Sequence, residues 1–94
     1  MGKTRPAVVV NVPAVGRLPL RIVVPVTGWH ASHATVSWLV RLEASTRSGL
    51  GKESTADCFQ VKSVSVARFA TKLGTVRADE LEEICAAIAL CVGT

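Results

Sequence analysis

The sequence has no tyrosine, one methionine, two phenylalanines and two tryptophans. Aromatics make up 4% of a chain that is 49% hydrophobic, so the core has to be built from Val, Leu, Ile and Ala. Long apolar runs are missing. The longest, such as Ile22 to Val26, have the length of a strand and cannot cross a bilayer. The run from Ala7 to Val12 contains Asn11 and is too short and polar for the core of a secretory signal. No glycine-rich phosphate loop, no usefully spaced pair of carboxylates and no Cys/His cluster is present, which sets aside nucleotide-loop and zinc-ribbon chemistry. Cys58, Cys85 and Cys91 are an odd number at no metal spacing. They are expected to be reduced and mostly buried, in a cytoplasmic protein.

The 94 residues suit a single domain, 1–94, with a modest core that a partner surface would help to stabilise. The net charge of +4 conceals an asymmetry. Residues 1–77 carry all 11 Lys/Arg against 3 acidic residues, a balance of +8, and residues 78–94 carry 4 acidic residues and no Lys or Arg. Such a basic body suits a polyanion or an acidic peptide, although ordinary solubilising charge accounts for it equally well.

Pattern places the elements. Ala7 to Val12 and Leu18 to Val26 read as strands separated by the Pro13-Ala14-Val15-Gly16 turn, with Pro25 marking an edge or a bulge. Gly28 to Ser32 reads as a loop, His33 to Leu42 as a third strand with Trp38 in the core, and Ala44 to Glu53 as a polar loop. Thr55 to Lys62 reads as a fourth strand, Ser63 to Phe69 as a connector with a short helical turn, and Ala70 to Val76 as a fifth strand. Leu81, Ile84, Cys85, Ile88, Cys91 and Val92 form one helical stripe, which predicts a helix over Ala78 to Cys91 with acidic residues in its first turns and Gly93 as its stop. Arg77 is a poor N-cap, a defect of about 1 kcal/mol. The fold class is therefore mainly β with a C-terminal helix: a small SH3-like antiparallel barrel or curved sheet of about five strands plus one long helix. No strand–helix alternation supports a doubly wound nucleotide fold.

Four segments in order carry a resemblance. They are Arg5-Pro6 followed by Ala7-Val8-Val9-Val10; Val23-Val24-Pro25-Val26-Thr27-Gly28; Gly49-Leu50-Gly51-Lys52-Glu53-Ser54 through Phe59-Gln60-Val61-Lys62-Ser63-Val64; and Arg68-Phe69 with Leu73-Gly74 and Leu81 to Val92. Together they resemble the MazF/PemK family of toxin endoribonucleases over nearly the whole chain. The resemblance implies a toxin of a toxin–antitoxin system that cuts single-stranded RNA sequence-selectively without a metal or cofactor. It also implies a homodimer, neutralised by an acidic antitoxin peptide. The family's catalytic Arg falls on Arg5 and its catalytic Thr on Thr27. An arginine can stabilise charge on a phosphorane, and a hydroxyl can orient the same phosphate.

Trp29 is a candidate for stacking on an unpaired base, or else a loop aromatic folded onto the sheet. His30, Lys52, Gln60 and Lys62 are further candidate RNA contacts, although solvated side chains or, for Gln60, a backbone bond account for them as well. His30 and His33 lie three apart with no third ligand in sight, so surface histidines are expected rather than a metal pair. Family members begin with an additional strand and loop before the Arg-Pro motif, whereas Met1 stands four residues before Arg5. That strand is expected to be missing, leaving a sheet edge exposed. A shortened reading of a longer gene, a short variant that repairs its edge by dimerising, and a degenerate toxin of weak activity all remain open. The alternative function is a catalytically weak or inactive barrel that binds a protein or nucleic acid.

Overall fold

In the computed structural model, residues 5–12 and 18–94 are described. The expected turn at residues 13–16 lies outside them. Among the described residues, five antiparallel strands precede one helix: β1 (Ala7–Val9), β2 (Leu20–Gly28), β3 (Leu39–Leu42), β4 (Ser54–Asp57), β5 (Lys62–Ser65) and α1 (Ala78–Cys91). The strand order is β1-β2-β4-β3, with β5 also paired to β2, and the sheet is curved without closing into a barrel. β1 pairs only with β2, so its outer edge is open among the described residues.

β2 organises the sheet because it is long and rich in β-branched residues. One edge runs against β1, with Val8 opposite Val24. Its other edge is shared, β5 pairing with Leu20 to Val23 and β4 with Val26 to Gly28. Pro25 stands at the handover between them. The Val26 N–H donates to the Pro6 carbonyl (3.0 Å), so even-numbered residues of β2 bond toward β1 and odd-numbered ones toward β4 and β5. The N–H that proline lacks would point into the gap between β5 and β4, where no ladder bond is lost.

The core lies between one face of this sheet and α1. Val24, Val26, Val40, Leu42, Ala56 and Cys58 meet Ile84 and Ala87 there. The helix has the expected bounds but a rotated face. Glu80, Ile84 and Ala87 are buried, whereas Cys85 is exposed and Cys91 half-buried. Of the three cysteines only Cys58 is fully buried, where desolvation pushes its thiol pKa up to about 11.

The helix start is better made than its N-cap residue implies. The Glu80 carboxylate accepts from the Arg77 N–H (2.9 Å) and from the Glu43 N–H (2.9 Å) just beyond β3. It thus supplies the return half of a capping box and ties helix to sheet, while an arginine side chain has no acceptor for the other half.

Three expectations are corrected. The third strand is only Leu39–Leu42, because Ala31–Thr35 forms a 3-10 turn and leaves Trp38 exposed against Phe59. Ser54–Asp57 ends as a strand at the 3-10 turn Cys58–Gln60, and pairing resumes at Lys62–Ser65 within the expected connector. Residues 70–76 form no strand. They are held by backbone contact with the β3–β4 loop: the Thr75 N–H donates to the Arg47 carbonyl (2.8 Å), and a Cβ on Gly74 would meet that same carbonyl oxygen at 2.1 Å.

Candidate functional site

Register assembles a row of side chains on the sheet face opposite the core. Thr27 lies directly across from Thr55, and Thr55 from Arg41. Directly opposed residues in an antiparallel sheet share a face, so these three side chains project together. Carrying the β1–β2 register two residues past Ala7↔Pro25, through the Val26–Pro6 bond, sets Arg5 across from Thr27. By the alternation above, Arg5 and Thr27 form a non-hydrogen-bonded pair, the kind that brings side chains closest. Thr27 is exposed and Arg5 is exposed; Thr55 is fully buried. The two residues singled out by sequence, 22 positions apart, are thus neighbours across strands. Arg5 also borders an open cleft of about 960 Å³ that runs beneath the 68–76 segment to Leu81.

What buries Thr55 is His33. The 3-10 turn after β2 brings its Nδ1 to 2.8 Å from the Thr55 Oγ1, and the His30 N–H donates to the same nitrogen at 3.4 Å. Trp29 packs edge-on against the His33 ring at 5.8 Å, and the His30 ring does the same at 5.2 Å. The loop aromatic is therefore folded back toward the sheet, half-buried, with the Arg41 guanidinium lying over its ring at 4.7 Å. Arg41 is held there by Glu53, whose Oε1 accepts from the guanidinium Nε (3.1 Å) and whose Oε2 accepts from the Ala44 N–H (2.7 Å). Those two donors, the backbone N–H first, hold the Glu53 carboxyl below the usual range. The Lys52 Nζ would lie 3.6 Å from a Cβ on Gly28, and Gly28 alternates with Thr27, so this amine stands at the end of β2 on the face opposite the Thr27 side chain.

Of the sequence candidates, then, Arg5, Thr27, Trp29 and His30 come together. Lys52, Gln60 and Lys62 do not join them. Gln60 is exposed, its amide donating to Asp57 (2.7 Å), and Lys62 pairs with Val23, four residues or about 13 Å along β2 from Thr27. Arg41, Glu53 and Thr55 were not among the candidates, and His33, weighed only as a pair with His30 and expected at the surface, is half-buried. Alternation within Leu39-Val40-Arg41-Leu42 places Arg41 on the face opposite Val40, but only register shows that this is the face of Thr27. Two imidazoles meet at His30 and His33, and among the described residues no group of three His, Cys, Asp or Glu side chains forms.

Fold and site together define a small antiparallel sheet backed by a single helix, with a polar, cation-bearing row on its open face. The family model of the PemK-like, MazF-like toxin of type II toxin–antitoxin systems matches residues 1–92, and the chain belongs to this family. Among solved structures it is similar to Mycobacterium tuberculosis toxin MazF-mt6, at 20% identity and a TM-score of 0.82, covering 99% of this chain and 90% of that one. It is also similar to the MazE–MazF structure (Form-I) from Deinococcus radiodurans, at 26% identity and a TM-score of 0.78, covering 96% of this chain and 83% of that one. No curated protein sequence matches it.

Proposed function

We propose that this protein is the toxin of a toxin–antitoxin pair and a metal-independent, sequence-selective endoribonuclease that cleaves single-stranded messenger RNA at Arg5 and Thr27. The observation that carries this reading is the cross-strand pairing of a guanidinium with an exposed hydroxyl on a cationic face. In the reaction the RNA's own 2′-oxygen attacks phosphorus, the bond to the 5′-oxygen breaks, and a 2′,3′-cyclic phosphate and a 5′-hydroxyl result. The 2′-hydroxyl proton passes to solvent, and the leaving oxygen takes one from solvent. Arg5 stabilises the charge that builds on the non-bridging oxygens, and the Thr27 hydroxyl donates to one of them and fixes the phosphate's orientation. Lys52, at the end of β2 behind Gly28, adds to the positive potential of this end of the sheet.

The basic body, +8 over residues 1–77, suits neutralisation by an acidic antitoxin peptide. The likeness to a MazE–MazF structure supports such a partner. The open outer edge of β1 and the small core favour a homodimer. Action on messenger RNA places the protein in the cytoplasm, and no helix among the described residues is long and apolar enough to cross a membrane.

One observation favours a second reading, a weak or inactive binder. Among the described residues no hydrogen bond or ion pair orients the Arg5 guanidinium, and Arg5 precedes the regular strand. A long RNA incubated with purified protein and EDTA decides between them. Fragments ending in cyclic phosphate, lost in Thr27→Ala and in Arg5→Ala, are expected. Intact RNA at micromolar protein, or equal cutting by either variant, would overturn the nuclease reading.

A further inference from the structure

At the other end of the row stands Arg41, and its environment is that of a guanidinium prepared for a ligand. Its Nε is fixed by Glu53 and its guanidinium carbon lies 4.7 Å over the centre of the Trp29 ring. Among the described residues no hydrogen bond uses either of its terminal nitrogens. Stacking on an aromatic and a carboxylate on one edge remove most of the rotamer freedom of an arginine, so binding at the other edge costs less entropy. Glu53 is itself pinned by the Ala44 N–H, so the tether does not swing. The carboxylate also neutralises part of the charge, yet it cannot reach the donors on the far side of the fork.

The register gives the distance. Arg41 and Thr55 form a non-hydrogen-bonded pair, since the flanking Cys58 N–H donates to the Trp38 carbonyl. Thr27 and Thr55 form a hydrogen-bonded pair, since the Trp29 N–H donates to the Glu53 carbonyl. Three such steps separate Arg5 from Arg41 by about 14 Å between Cα atoms. With Arg41 tied back to Glu53 and Trp29, the two arginines suit two phosphates of one strand laid across the sheet. Between them lie Thr27 and Thr55, the latter covered by the His33 ring, and Trp29 lies beneath Arg41.

The geometry points to Arg41 as the anchor of a second phosphate subsite, which grips an internucleotide phosphate flanking the one cleaved at Thr27. The RNA then runs across the strands from Arg5 and Thr27, over the His33 ring that covers Thr55, to Arg41. Bidentate donation from the terminal nitrogens of Arg41 sets the register of the strand, and the outer face of its guanidinium offers a surface to a base. Arg41 is a positioning residue in this scheme. It does not touch the reacting phosphate, and the proposal rests on the nuclease reading above.

The test is binding, separate from cleavage. A short mixed-sequence RNA with 2′-fluoro sugars lacks the attacking hydroxyl, and its affinity is measured by anisotropy over a range of salt. Arg41→Ala is expected to weaken binding on the order of tenfold and to lower the salt slope by about 0.7, one phosphate contact on a single strand. Arg41→Lys restores the slope. Arg41→Gln, which keeps the stem over Trp29, behaves as Arg41→Ala and guards against a folding defect. The control is Arg21→Ala, about 20 Å along β2, whose guanidinium is occupied by the Leu18 and Leu20 carbonyls (2.8 Å each). It is expected to change neither quantity appreciably. A scan of neutral methylphosphonates through a cleavable RNA should find one flanking position whose neutralisation slows wild type but not Arg41→Ala. An unchanged slope in both Arg41→Ala and Arg41→Gln, or an equal loss in Arg21→Ala, would overturn the subsite while leaving cleavage by Thr27 and Arg5 untouched. Failure of the wild type to bind or cut RNA would overturn both.

Discussion

Two charged clusters flank the sheet, and they are built from the same side chains to different ends. At the start of α1, Arg77 reaches Glu43 (2.9 Å) and Asp79 (2.9 Å), while Glu80 sits buried beneath them. On the open face, Arg41 reaches Glu53 (3.1 Å) beside Trp29. In the first cluster the buried carboxylate spends its capacity on backbone N–H groups, and the guanidinium is surrounded by three carboxylates, so the cluster is closed upon itself. In the second, the guanidinium meets one carboxylate on one edge and keeps its other donors toward solvent, on the face that carries the exposed Thr27. A charge pair that consumes all its donors and acceptors is architecture. One that orients a cation and leaves donors over is a candidate site.

The largest expected effect separates the two clusters by function. Thr27→Ala, which leaves the packing of the sheet intact because Thr27 is exposed, should lower RNA cleavage by about 10²- to 10³-fold, the usual cost of one transition-state donor. Its melting temperature should match wild type. A variant that loses cleavage and melting temperature together would place Thr27 with the architecture.

Glu80→Ala is the mirror image. It strands two N–H groups, on Arg77 and Glu43, at a buried position, with an expected cost of about 2–4 kcal/mol. For a domain of this size that is a fall in Tm of roughly 10–25 °C. Below its transition the variant should cut RNA at the wild-type rate. A wild-type Tm would show that water replaces the carboxylate and that the helix is tied to the sheet by Ile84 and Ala87 alone.

Acid should dissolve the open-face cluster. The Glu53 carboxyl is held below its ordinary pKa in the folded state, first by the Ala44 N–H and then by Arg41. A carboxyl with a depressed folded pKa contributes stability that is complete above the unfolded value, near 4.5, and is lost as pH falls through the folded one. Between pH 5 and 8 the tether of Arg41 is therefore constant, and it loosens only below about pH 4.5. Trp29 emission, followed in a Trp38→Phe background, should report this transition in wild type. In Glu53→Gln the transition should vanish, because the amide does not titrate. A transition that persists unchanged in Glu53→Gln would overturn this assignment.

The contrast also explains what the sequence made legible. The helix was readable to its ends because Leu81, Ile84 and Ile88 repeat at its period, and β2 because Val23, Val24 and Val26 are β-branched and bounded by glycine. Arg5 and Thr27 were readable through a resemblance, with their adjacency supplied by register. His33–Thr35 was misread as strand because Thr35 and Val36 have strand propensity, whereas His33 turns inward to the Thr55 hydroxyl, a contact 22 residues away. Residues 70–76 have the composition of a strand yet are fixed by a loop–loop approach at Gly74. Arg41 was passed over because one charged residue in a strand reads as a solvated face until its cross-strand neighbours are known.

The smallest expected effect lies within the helix cluster and sharpens the rule. Arg77 makes more ion pairs than any other described side chain, yet all its partners but Glu80 are exposed, and exposed pairs are screened and entropically costly. The bond that matters at this position is the one its backbone N–H gives to Glu80, and every residue except proline supplies it. Arg77→Ala should therefore shift Tm several-fold less than Glu80→Ala, and Arg77→Pro should approach Glu80→Ala. Asp79, whose carboxyl Arg77 holds below its ordinary pKa, should move up toward it in Arg77→Ala, visible as an upward move of its titration by NMR. A loss in Arg77→Ala as large as in Glu80→Ala would mean that the surface guanidinium, rather than the buried carboxylate, closes the cluster.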